Sequence, residues 1–325
     1  MGLPVAAVLL SAALFGTTGT AQALGPSSTT PLGVGGVRLA IGGLALLALV
    51  PLLGGRRAEV LALWRTPAGL VAGLCTGLYQ VCFFAGVERA GVAVGTLVAI
   101  GSGPVLTGLL AVALLGERPG RTWLAATGLC VTGLALLVLG GGTSGGADLL
   151  GVLLALGAGL AYAAYTVLAK QQLEAGHGSA VVMAAAFGLG GLLSVPVLLS
   201  QPLGWVATGD GLALAGYLGL VTVTLAYLLF VRGLAVLPAG PVTTLVLAEP
   251  VVATALGVVV LDERLALPGA VGAGLVLVGL LVQGRGSSRA VPAPEGAVTA
   301  QVTGRPAGSR RPGCRPARRT RPPTR

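Results

Sequence analysis

The sequence predicts an all-α polytopic membrane protein of ten transmembrane helices, arranged as two inverted five-helix repeats. Three observations carry this prediction. Hydrophobic residues make up 54% of the 325 residues and charged residues only 9%, with a mean hydropathy of +0.93; a soluble domain of this length needs far more polar surface. Ten apolar segments are long enough to cross about 30 Å of hydrocarbon. The chain also repeats itself: Pro104 and Gly116-Glu117-Arg118 recur as Pro250 and Asp262-Glu263-Arg264, 146 residues on in each case.

The ten segments are 2–24, 32–53, 67–87, 92–115, 122–139, 149–170, 179–199, 211–232, 240–261 and 267–283. The first ends in Ala21-Gln22-Ala23, which looks like a signal-peptidase site. It lacks a basic leader, however, and its uncharged run exceeds a usual signal core. It also echoes the sixth segment, Phe15 aligning with Tyr162, so it reads as a retained helix. The third carries Gly69, Gly73 and Gly77, a small-residue stripe for close helix packing within the bundle or between protomers. The fourth and ninth carry Pro104 and Pro250, each of which removes one backbone hydrogen bond and leaves the carbonyls of Ile100 and Val246 without their in-helix partners. Both prolines predict kinks, and such openings are tolerated where they face protein or a wet cavity.

The organisation follows. Residues 1–139 form the first repeat, 140–148 a flexible glycine-rich linker, 149–284 the second repeat, and 285–325 a disordered tail with seven prolines and ten arginines against one acid, Glu295. The net charge of +10 therefore belongs to the tail and does not indicate a nucleic-acid partner. The tail could touch anionic lipid, at about 1 kcal/mol per arginine near the surface, or be solvated without function. With the N-terminus inside, Arg56, Arg57, Arg65, Arg118, Arg121, Lys170, Arg232 and the tail are cytoplasmic, while Arg89 and Arg264 are outside; this satisfies the positive-inside rule and puts both termini in the cytoplasm. Trp64 and Trp123 fall at the inner interface and Trp205 at the outer one, as in an aromatic belt. Five helices per copy is an odd number, so the second copy enters from the opposite side. Inverted repeats of this kind are the mark of a secondary transporter working by alternating access, with its site where the repeats meet.

Gly103-Pro-Val-Leu with Leu114-Leu-Gly-Glu-Arg, and Glu249-Pro-Val-Val-Ala with Leu261-Asp-Glu-Arg-Leu, resemble the paired EamA domains of the drug/metabolite transporter superfamily. The resemblance covers residues 1–284. It implies ten helices, cytoplasmic termini in a bacterial inner membrane, and transport of small metabolites, often export of amino acids or toxic compounds. The basic tail is not part of the pattern.

Glu249 is the sharpest candidate residue. It lies about nine residues into the ninth segment, roughly 13 Å deep, beyond the reach of either interface. A carboxylate there is expensive and functional by default, and it is the candidate for proton coupling; the alternative is a protonated packing residue. Its repeat mate is Gly103, so symmetry does not demand the acid. Arg38, in the second segment, reads either as a contact for a substrate carboxylate or as an interfacial anchor that snorkels outward; the resemblance implies a basic residue at this position. Tyr162 and Tyr165 share a helix face, and Tyr79, Gln80 and Tyr227 lie mid-helix. These side chains either line a cavity for a polar substrate or pack between helices.

Enzyme readings fail on placement. Gly142-Thr-Ser-Gly-Gly146 matches a nucleophile motif around Ser144, but the single histidine, His177, is expected across the membrane from it. Lys170 sits in no phosphate loop, the four cysteines have no metal or disulfide spacing, and no cofactor is implied. A membrane scaffold or sensor using the basic tail is the alternative to transport.

Overall fold

The computed structural model describes residues 2–139, 148–262 and 266–290. The glycine-rich stretch with Ser144, the repeated Glu263-Arg264 pair and the arginine-rich tail beyond 290 lie outside the described residues. Among the described residues, ten helices are long and apolar enough to span a membrane: α1 (Leu3–Ala23), α2 (Pro31–Leu49), α3 (Pro67–Ala90), α4 (Val94–Leu115), α5 (Arg121–Val138), α6 (Leu149–Glu174), α7 (Ser179–Leu199), α8 (Gly209–Val236), α9 (Ala239–Val260) and α10 (Leu267–Ser287). No strand occurs among the described residues. A short helix, Arg57–Trp64, runs between α2 and α3.

Local chemistry sets the starts. Pro31 and Pro67 open their helices behind Thr30 and Thr66, whose hydroxyls accept from the amides of Gly33 and Gly69. A proline in the first turn gives up an amide that would have no partner anyway, and a threonine cap satisfies one of the others. Asp148 caps α6 in the same way through Leu150 N–H and pairs with Arg89 at 2.7 Å, so the last residue assigned to the linker is an ordered cap. At the other boundary the final helix runs on through Ala290, past residue 284. No proline intervenes before Pro292, and Gln283 donates to Ser287 within that last stretch.

Helices pair across the two halves. α3 and α4 lie on α6, and α8 and α9 lie correspondingly on α1; α2 pairs with α7 and α5 with α10. The α5–α10 contact is the most telling. Cys130 Sγ donates to the carbonyl of Val276, its own repeat mate 146 residues on. A Cβ on Gly133 would stand 2.6 Å from Gly272 O, and one on Gly279 would stand 2.9 Å from Ala126 O; Gly279 and Gly272 are the repeat mates of Gly133 and Ala126. The echo extends to the helix ends: Gly116 (φ 67°) and Asp262 (φ 55°) both take the left-handed conformation that terminates their helices.

Large apolar side chains such as Leu109, Leu153, Leu220 and Val259 are exposed on the outside of the bundle, as a lipid-facing surface requires. The glycine stripe of α3 is spent inside the molecule, Gly73 against Leu189 and Gly77 against Gly190 of α7. Two of the three expected belt tryptophans are also interior. Trp123 and Trp205 are buried, because each packs its ring against helices rather than presenting it to an interface. Trp64 donates to Ala185 O at 2.8 Å.

Candidate functional site

Two helix irregularities shape the middle of the bundle. α9 is interrupted at Leu247, dividing into Ala239–Val246 and Ala248–Val260, three residues before Pro250. Its repeat mate α4 carries Pro104 within one continuous helix. α8 contains a π-helical stretch, Tyr217–Leu225, a geometry common at functional sites. The stretch is tied down by Thr224, which donates to Gly219 O and Gly42 O.

Around these irregularities lie two small cavities. One, of about 30 Å³, is lined by Tyr79, Ile100, Pro104, Tyr162, Thr243, Val246 and Glu249 among others. The second, of about 10 Å³, is lined by Arg38, Thr76, Tyr79, Gln80, Tyr165, Phe187, Val223 and Tyr227 among others. Tyr79 belongs to both. The larger holds about one water's share of liquid volume, so this conformation is closed around the site. All seven predicted binding residues meet here, drawn from α2, α3, α6, α8 and α9. Pro250 is buried outside both linings.

An aromatic chain connects the cavities. Tyr79 lies 6.0 Å from Tyr162, Tyr162 meets Tyr165 edge-on at 5.4 Å, and Tyr165 donates its hydroxyl proton to Tyr227 at 3.2 Å. Phe187 and Phe15 close on Tyr227 at 4.0 and 4.8 Å. Phe187 and Thr243 went unpredicted; the only available signal was a phenylalanine in mid-helix among small residues, Ala184 to Gly188.

The polar groups are unevenly satisfied. Gln80 donates to Gly35 O at 2.9 Å, so its amide nitrogen fastens α3 to α2. Arg38 does not snorkel outward: it lines the second cavity, and its Nε is buried without a hydrogen-bond partner. The Tyr162 hydroxyl is likewise buried and unpartnered. Glu249 is half-buried in the first turn of the second α9 segment. Among the described residues, no ion pair within 4.0 Å joins Arg38 or Glu249 to any group. Arg38 thus lines one cavity and Glu249 the other, with Tyr79 common to both and no ion pair within 4.0 Å between the two charged groups.

Polar contacts join the helices at one end of the bundle. Both oxygens of Glu117 accept from Ala239 N–H, at 3.0 and 3.2 Å, at the start of α9. Burial lifts the Glu117 carboxyl above its ordinary value, against the opposing pull of that amide and of Lys170. Lys170 itself donates to Leu234 O at 3.0 Å and lies 3.5 Å from Glu174. At the other end, its bond to Arg89 holds the Asp148 carboxyl below its usual range.

Comparison with known proteins fits this architecture. The model of the EamA-like transporter family matches residues 2–139 and again 149–284. An uncharacterized transporter of Bacillus subtilis, YwfM, is 40% identical over 275 residues, 85% of this chain and 91% of that protein. The threonine/homoserine exporter RhtA of Escherichia coli K12 is 32% identical over 270 residues, 81% of this chain and 85% of that protein. A solved crystal structure at 22% identity superposes with a TM-score of 0.72, covering 87% of this chain and 97% of the other, and shows the same fold. Ten apolar spans, a closed central site and two family matches in tandem lead to one conclusion: the chain is a multi-pass membrane protein that belongs to the EamA-like transporter family, within the drug/metabolite transporter superfamily.

Proposed function

We propose that this chain exports a small zwitterionic amino acid of the threonine or homoserine kind across a bacterial inner membrane, with both termini in the cytoplasm. The carrying observation is the presence of Arg38 and Glu249 in the linked central cavities with no ion pair within 4.0 Å between them. Arg38, with its orphaned Nε, suits a substrate carboxylate, for which guanidinium offers a two-pronged match. Glu249, across the tyrosine cluster, suits the ammonium group. The tyrosine hydroxyls, including the unpartnered one of Tyr162, would orient a side-chain hydroxyl. The substrate class draws on the likeness to the threonine/homoserine exporter.

Alternating access would come from the inverted repeats. The matched pairings of α3 and α4 on α6 with α8 and α9 on α1, and the meeting of repeat mates Cys130 and Val276, support a pseudo-twofold relation between the halves. Exchange of one such packing for its image moves the opening from one side of the membrane to the other. Glu249 would take up a proton from outside as it releases substrate and give that proton up to the cytoplasm, coupling export to proton entry.

The test compares threonine and homoserine inside and outside cells expressing the chain, or its Arg38→Ala and Glu249→Gln variants, with membrane levels matched. Export by the intact chain and its loss in Arg38→Ala is the expected result. Equal pools in all strains would overturn the substrate class. Export by Glu249→Gln at the wild-type rate and pH dependence would overturn proton coupling.

A further inference from the structure

A larger cavity, of about 310 Å³, opens where α4, α5 and α9 end together, lined by Gly108, Glu117, Arg118, Trp123 and Gly240 among others. By the arginine distribution this is the cytoplasmic end. The cavity is stacked on the central site along the same two helices. Pro104 of α4 and Thr243 of α9 line the central cavity, while Gly108 and Gly240, four and three residues away, line this one. That spacing is one helical turn, about 5 Å.

The Trp123 indole stands in the seam between the two helices. A Cβ on Gly240 would meet its Nε1 at 3.0 Å, and one on Gly108 would collide with its ring; only glycine on both sides admits it. Trp123 is 8% exposed, yet its Nε1 has no hydrogen-bond partner. Thr107, fully buried on the α4 turn between Pro104 and Gly108, has an equally unpartnered hydroxyl. Buried donors in proteins are nearly always satisfied; here two lack partners, the Trp123 N–H on α5 against Gly108 and the Thr107 hydroxyl on α4 beside it in sequence. At the mouth, Glu117 is engaged by Ala239 N–H. Arg118 is exposed, with no carboxylate within 4.0 Å among the described residues.

We propose that this cavity is a loading vestibule that takes the carboxylate of a cytoplasmic amino acid on Arg118 and the Trp123 N–H, and that the indole is the plug between the vestibule and the central site. The inference rests on the exporter reading above. Parting α4 from α9 withdraws the indole and joins the cavities, passing the substrate one turn inward to the tyrosine cluster.

The experiment uses the full chain in lipid nanodiscs with Trp64→Phe and Trp205→Phe, leaving Trp123 as the sole tryptophan, titrated with threonine and homoserine. The expected result is a saturable change in Trp123 emission, with the apparent Kd raised about tenfold or more by Arg118→Ala, as for loss of a charge-assisted bond. In proteoliposomes of the otherwise native chain, Arg118→Ala should raise KM with kcat retained, and Trp123→Ala should leak threonine where Trp123→Phe does not. Unchanged emission at saturating probe in a chain that transports, or an Arg118→Ala variant with wild-type KM, overturns the vestibule. Because the titration reads binding alone, an emission response in a chain that moves neither amino acid would refute the exporter reading and keep the vestibule.

Discussion

The α5–α10 contact permits a paired test. Gly133 and Gly279 are repeat mates, and each faces backbone of the opposite helix: Gly272 O at 2.6 Å from a Cβ on the first, Ala126 O at 2.9 Å and Cys130 Sγ at 2.5 Å from one on the second. Ordinary contact begins near 3.4 Å, so alanine at either position must part the helices by roughly 0.5–1 Å, an overpacking cost of about 1–3 kcal/mol. Gly→Ala also gains about 1 kcal/mol of helix propensity. That gain is cancelled by comparison with Gly128→Ala on α5 and Gly274→Ala on α10, where an added Cβ meets nothing within 4 Å. At about 2 °C per kcal/mol for a chain of this size, Gly133→Ala and Gly279→Ala should each melt about 2–6 °C below the matching control. Thermal denaturation of the detergent-solubilised protein, followed by size-exclusion chromatography, reads this directly. The double variant should cost less than the sum, because one separation of the helices accommodates both methyls. A neutral Gly133→Ala beside a costly Gly279→Ala would refute the symmetric packing from which the estimate is drawn, and full additivity would refute the shared displacement.

Three further outcomes are expected. Glu117 sits above its ordinary value of 4.5, so its contribution to stability is fully present below that value and is lost as pH rises through its raised folded value; a melting-temperature profile should fall across that window in the wild type and flatten in Glu117→Gln. Asp148→Asn keeps an oxygen to cap α6 but loses the exposed pair with Arg89; thermal stability should be unchanged at physiological salt, since solvent screens such pairs, and a marked loss would show that the pair does more. Deleting residues 291–325 should leave transport intact, as measured by efflux, whereas loss of transport would favour a working role for the tail; starting the deletion at 286 would cut into the last helix at the buried Gln283–Ser287 bond.

The helices were readable because long apolar runs have no other use in this composition. The central site was readable for a related reason: Arg38, Glu249 and the mid-helix tyrosines are the polar exceptions in apolar helices, and a bundle must turn such exceptions inward. Phe15, Phe187 and Val223 line or flank the same space but carry no such mark. In an all-apolar pattern, helix rotation is not encoded by periodicity, so a cavity-facing phenylalanine reads like a lipid-facing one. Trp123 misled for the same reason: its depth in sequence fits an interfacial belt, and only the opposed Gly108 and Gly240 show that its ring enters a seam. The break at Leu247 lies where Pro250 frees the Val246 carbonyl, whereas the π-helical stretch of α8 contains no proline and had no such local signal.

The two halves do not carry the same chemistry at one pair of equivalent central positions. Where the second has Glu249, the first has Gly103, and a Cβ there would meet the Tyr162 ring at only 3.3 Å; the missing side chain makes room for an aromatic wall. A transporter assembled from two copies of one half-length chain would be obliged to place a carboxylate at both positions or at neither. Two acids facing one small space would oppose each other's ionisation, and none would leave the space without a carboxylate. Joining the halves in one polypeptide removes that constraint. One copy can keep the acid while the other yields the space to a tyrosine, so a chain that carries both repeats can hold an acid at only one of the two equivalent positions.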